Sequence, residues 1–148
     1  MPLFKRRSAM QASGALAASL NKNASWIFVE SVDIPHGAFR CDVVGESHYQ
    51  DDLLAICGEK LPGRHVRRTT ATLIRQVDNP YDQNAVAVHI TGRHVGYLSR
   101  DNAATVSPIL ATRASVDVDA WITGGWDNGD GDVGFFGVVL AMPPPDQL

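Results

Sequence analysis

Two cysteines, Cys41 and Cys57, are all the thiol chemistry this chain has. They are too few for a disulfide framework and do not form a zinc-ligand pair. No run approaches the ~20 consecutive apolar residues that a membrane-spanning helix needs. Serine-nucleophile motifs, glycine-rich phosphate loops and Cys-His signatures are missing, so nothing requires catalysis and no cofactor or metal is implied. The five histidines show no ligand spacing, although His89 and His94 flank one turn and could face each other. An excess of charge is lacking too, since the formal net charge is only −3.

A convincing export signal is also absent. Lys5, Arg6 and Arg7 precede a weakly apolar stretch interrupted by Gln11, Ser13 and Ser19. A short helix or a disordered basic arm is the better expectation for residues 1–23, with the cytoplasm as the compartment.

What is present suits one globular domain: 148 residues, 45% of them apolar. Charge is unevenly placed. Between Lys60 and Arg113 eight basic residues face three acids, whereas Ala114 to Leu148 holds six acids and no Lys or Arg. A mildly acidic protein can therefore still present one basic face, and the local field is what steers a phosphate chain.

Hydrophobic periodicity predicts mainly strands. Ser25–Ser31, Phe39–Gly45 (with Val43 and Val44 as a buried end), Thr69–Val77, Ser115–Ile122 and Gly134–Met142 read as β, and Thr91-Gly92 closes a hairpin over Ala85–Ser99. In Ser115–Ile122, Val116, Val118 and Ala120 alternate with Asp117, Asp119 and Trp121, as in a half-buried strand. Two short helices are expected. One buries Leu53, Leu54 and Cys57 and stops at Gly58; the other, capped by Ser99 or Asp101, buries Ala103, Val106, Ile109 and Leu110. About six strands and two helices favour a bent sheet closing towards a barrel over residues 24–142, because closure removes edges. Residues 143–148, opening with three prolines, are expected as a tail.

"DNPYDQNAVAVHI", Asp78 to Ile90, is the most informative stretch. Asp78 or Asn79 can accept bonds from the following backbone, and Pro80 fixes a turn. Tyr81 could simply pack on the domain edge. On a rigid turn it could instead offer a π-face to a nucleic-acid base. Asp82 would repel a phosphate but suits a sugar hydroxyl at a strand terminus. Arg64, Arg67, Arg68, Arg75 and Arg100 are the available phosphate contacts.

"VVGESHYQDDL", "ATLIRQVDNPYDQNAVAVHI" and "GRHVGYLSRDNAATVSPIL" together resemble the three blocks of the HIRAN domain family. The resemblance implies an OB-like β-barrel that grips the 3′-hydroxyl end of single-stranded DNA. It implies no enzyme activity of its own, with a helicase or nuclease as partner in DNA repair or fork processing. It assigns base stacking to Tyr81, with His48 at the second stacking position and Tyr49 beside it. Asp82 would bond the terminal hydroxyl, Arg100 would contact the backbone, and Tyr97 and Phe135 complete the set. Ser47 stands where the family has a phosphate-binding arginine, leaving that task to the loop of Arg64, Arg67 and Arg68.

Two other readings stay open. One is a protein-interaction domain that keeps the barrel without DNA. The other is a metal-dependent hydrolase using Asp127, Asp130 and Asp132, although Val138 stands where an EF-hand loop needs glutamate, so a solvated hairpin loop is the simpler account.

Overall fold

The computed structural model describes residues 27–29, 31–63 and 66–148. The expected extension 1–23 and Arg64 lie outside them. Seven antiparallel strands, β1 (Ile27–Val29), β2 (Phe39–Asp42), β3 (Val66–Arg75), β4 (Val86–Ile90), β5 (Arg93–Tyr97), β6 (Val116–Gly124) and β7 (Phe136–Met142), form one sheet. Two helices, α1 (Gln50–Cys57) and α2 (Arg100–Leu110), complete the core. The strand order is β2-β7-β6-β3-β4-β5, with β1 added to β3.

The ten-residue β3 is the spine. One flank pairs with β6 from Val66 to Leu73, and the other pairs first with β1 and then with β4. Its β-branched content suits this position, and its period of two sends Ala71 and Leu73 inward. They meet Val88, Ile90, Val118, Ala120, Ile122, Val138 and Leu140 in the core. α1 lays Leu53, Ile56 and Cys57 on that core, and α2 adds Ala103, Val106 and Leu110. Ser99 caps α2, its side chain accepting from the Asn102 N–H at 3.2 Å. The hairpin turns on Thr91 and Gly92, both at positive φ (47° and 81°), which matches the right-handed twist of the flanking strands.

The barrel expectation needs correction. The ladder is an open path, and its two end strands meet at one bridge only, where Val44 and Tyr97 exchange two backbone bonds of 2.9 Å. Val44 is accordingly 43% exposed instead of buried, and Val43 alone enters the core. In α1, Ile56 takes the inward place expected of Leu54, which is 41% exposed. Trp121 shares its strand face with Asp117 and Asp119 yet is buried, with the Arg68 guanidinium 5.6 Å above its ring. Nor are residues 143–148 a loose tail, because Leu148 packs into the main core. Among the described residues no helix is long and apolar enough to cross a membrane.

Candidate nucleic-acid interface

Three segments converge at the end of the sheet where β3 passes into β4. The 76–85 turn lies there by chain connection. Residues 97–100 are held by the pairing of Tyr97 with Ala87 and by the Leu98 N–H donating to Val86. Residues 43–49 arrive through the Val44–Tyr97 bridge.

The turn is stiff because its polar side chains serve its own backbone. The Asn79 carboxamide oxygen accepts from the Tyr81 N–H at 2.9 Å and from the Asp82 N–H at 3.1 Å. Asp82 Oδ1 accepts from the Asn84 N–H at 2.9 Å, and the Gln76 N–H donates to Ala85 across the loop base at 2.8 Å. Such Asx bonds replace the ladder that a loop lacks. The Tyr81 ring is left outside, 87% exposed. Beside it runs a shallow groove of about 400 Å³ lined by residues 77–83.

Asp82 is mostly covered, at 22% side-chain exposure, while Arg100 is 77% exposed and holds its Nε 3.9 Å from Asp82 Oδ2. That separation is too long for a hydrogen bond. Oδ2 therefore keeps room for a donor, with a cation at its shoulder.

A second cluster lies on the neighbouring strands. His94 sits 4.4 Å from the Tyr49 ring, 4.7 Å from Tyr97 and 5.1 Å from His89, the two imidazoles being parallel within 4°. His94 Nε2 donates to the Gly96 carbonyl at 2.9 Å. Burial, then a hydrogen bond with Tyr97, pushes the Tyr49 phenol up to about 12. Burial and the facing His94 lower His89 from its ordinary value. Tyr49 and Tyr97 are thus half-buried members of a packed cluster, whereas His48, at the end of the 3-10 turn Glu46–His48, is exposed. Gln50 binds both backbone groups of Phe136, at 2.8 and 3.0 Å. This ties the segment carrying His48 and Tyr49 to the residue next to Phe135, which is 76% exposed.

Two expected basic contacts are placed elsewhere. Arg67 is fully buried, its guanidinium 5.9 Å from the Phe136 ring, and it shares the inward parity of Ala71 and Leu73. It cannot meet a phosphate in this fold. Arg68 pairs with Asp119 at 3.1 Å and covers Trp121. It stands seven residues down β3 from Arg75, or roughly 23 Å at ~3.3 Å per residue. Arg75 itself donates to Ser107 at 2.8 Å. The sequence alone did not point to Val77, 61% exposed on the groove wall, or to Gln76, bonded to Ala85 at the base of the turn. An apolar residue directly before the turn motif was the available sign of the former.

Two of the three hairpin aspartates are engaged within the loop itself. Asp132 accepts from Trp126 Nε1 and Asn128 Nδ2, both at 2.9 Å, and Asp127 Oδ1 accepts from the Gly129 N–H. Among the described residues no three His, Cys, Asp or Glu side chains gather as a metal-holding cluster.

The model of the HIRAN domain matches residues 36–130 of this chain. The crystal structure of the HIRAN domain of human HLTF aligns over 71% of this chain and 74% of its own, at 20% identity and a TM-score of 0.39. No curated protein sequence matches. The matched span contains the 76–85 turn, both helices and strands β2 to β6; the chain belongs to the HIRAN domain family.

Proposed function

We propose that this protein is a single-stranded DNA binding module that takes the 3′-hydroxyl end of a strand at the Tyr81 turn. HIRAN domains are a DNA-binding family. One observation carries the finer reading: an 87% exposed tyrosine stands on a turn braced by its own side chains, next to a carboxylate oxygen whose partner, Arg100, stands 3.9 Å away, beyond hydrogen-bond distance.

The terminal base stacks on Tyr81, for ~1–3 kcal/mol. Asp82 Oδ2 accepts from the terminal O3′–H, and Arg100 meets the phosphate one step inward. A 3′-phosphate would set two negative groups against each other, so the site rejects it. His48 offers a second, smaller stacking face, with Tyr49 and Tyr97 as the wall between. Phe135 extends the surface beyond the 46–50 segment. No chemistry on DNA is assigned to the chain itself, so unwinding or cutting in repair or fork processing belongs to a partner helicase or nuclease. Two free, buried cysteines fit a reducing compartment such as the cytoplasm.

Fluorescence anisotropy with matched oligonucleotides ending in 3′-hydroxyl or 3′-phosphate tests this. The hydroxyl end should bind at least ten-fold tighter, roughly the worth of one charge-assisted hydrogen bond. Asp82→Ala should erase that preference. Absence of binding to either oligonucleotide at low salt would leave the protein-interaction reading instead.

A further inference from the structure

We infer that Gln76 is a positioning residue for the terminus-reading pair, acting through the Asn79 carboxamide. This rests on the reading of Asp82 as the acid that accepts the terminal hydroxyl. Tyr81 and Asp82 owe their orientation to one atom, Asn79 Oδ1, which accepts from both of their backbone N–H groups at 2.9 and 3.1 Å. A carboxamide is pseudo-symmetric, however. Rotated by half a turn, it would point its NH₂ at the same two donors, and both bonds would become repulsive contacts.

Something must choose the face, and Gln76 is placed to do so. Its side-chain oxygen accepts from Asn79 Nδ2 at 3.2 Å, and its backbone carbonyl accepts from the Asn79 N–H at 3.2 Å. Its own N–H is bonded across the loop to Ala85, so the residue is fixed by the sheet before it reaches the turn. Both side chains are half-buried, where an amide facing the wrong way is costly. Gln76 touches no proposed ligand atom. It sets the aim of Asp82 by fixing which end of Asn79 faces the turn.

Two substitutions separate positioning from bulk. Gln76→Met keeps length and flexibility without an acceptor; Gln76→Glu keeps an acceptor that cannot be turned the wrong way. The first measurement is amide hydrogen exchange at Tyr81 and Asp82 in the free protein. The second is the ratio of dissociation constants for oligonucleotides ending in 3′-deoxy and 3′-hydroxyl, which differ by no charge. Gln76→Met should speed exchange at both amides and lower the ratio by about two- to ten-fold, the range of one hydrogen bond. Gln76→Glu should restore both, and melting temperature should stay close to wild type throughout.

Wild-type exchange and ratio in Gln76→Met, or identical behaviour of the Met and Glu variants, would overturn the inference. A wild-type protein that does not distinguish the two ends would defeat the end-reading itself. The exchange rates then decide alone: fast in Met and slow in Glu upholds Gln76 as the selector, and equal rates reject it.

Discussion

The 76–85 turn and the 125–135 hairpin loop are made from the same parts, an aromatic ring with Asn and Asp close by, yet they reach opposite states. In the hairpin the acid serves the ring. Both Asp132 oxygens are taken, one by the Trp126 N–H and the other by Asn128. Gly134 lies so close beneath Trp126 that a Cβ there would overlap the indole. In the turn the acid and the amide serve the backbone, and the ring is left out in solvent at 87% exposure. The difference begins in covalent chemistry. An indole N–H can only donate, and in the hairpin it is bonded to a carboxylate; a phenol O–H can donate or accept, and the exposed Tyr81 hydroxyl can do both with water. An aromatic beside an acid is therefore a binding surface only where the acid has not already been spent on the ring.

The strongest way to sharpen this contrast is to damage the closed loop. Gly125 has φ +70°, and a Cβ on it would overlap the ring of Phe136, itself buried. Gly125→Ala should cost about 3 kcal/mol of stability, combining overpacking with left-handed backbone strain. Urea unfolding measures this, and a loss below about 1 kcal/mol would mean that the hairpin is not part of the cooperative fold.

Next in size is Tyr81→Ala, with the opposite signature. DNA binding should weaken by ~1–3 kcal/mol, the worth of one stacked base. Urea stability should move by no more than about 0.5 kcal/mol, as for exposed positions in general. A stability loss with unchanged binding would turn Tyr81 into an edge-packing residue and end the comparison.

Arg100→Gln should have a smaller effect, seen mainly as salt dependence. Removing one phosphate contact to a single strand should flatten the plot of log affinity against log salt by ~0.7. Arg68→Gln should leave that slope alone, because Arg68 is held by Asp119 and Trp121 at the far end of β3. A slope change in the Arg68 variant alone would move the DNA path to the other end of the sheet.

How far the sequence revealed this arrangement depends on the range of the forces involved. Local ones were legible. Thr91-Gly92 announced its hairpin, Ser99 its cap, and the Asn-Pro-Tyr-Asp run its turn, since each is set by residues within four positions. Even the facing of His89 and His94 followed from the turn between them. Parity along β3 could have removed Arg67 from the phosphate contacts: counting back by twos from Leu73 passes Ala71 and Thr69 and lands on it. A basic run simply hid the alternation. Long-range packing was not legible. Nothing near Leu54 says that Ile56 wins the inward place, because the choice lies with the sheet surface that α1 meets. The Tyr49–His94–Tyr97 cluster likewise depends on the Val44–Tyr97 bridge, which joins the two ends of an open ladder.

The smallest effect probes the closed loop by pH. Hydrogen bonds from Asn128 and then from Trp126 hold the Asp132 carboxyl below its ordinary 3.8, with only slight opposition from burial. A depressed acid favours the folded form above its unfolded pKa, and that contribution disappears as pH falls through the folded value. The window therefore opens below about pH 3.8 and is silent at neutrality. Because the carboxylate is fully exposed, solvent screening keeps its effect on global stability small, and the local signal is the one to follow. The Trp126 Nε1–H resonance should shift through this acid window as its acceptor is protonated. In Asp132→Asn the resonance should occupy a new position and show no titration there. Tyr81 is the internal control: whatever its own turn does in acid, its resonances should be the same in wild type and Asp132→Asn. If Asp132→Asn changed the acid response of Tyr81, the two loops would share one electrostatic unit, and the division of labour between them would fail.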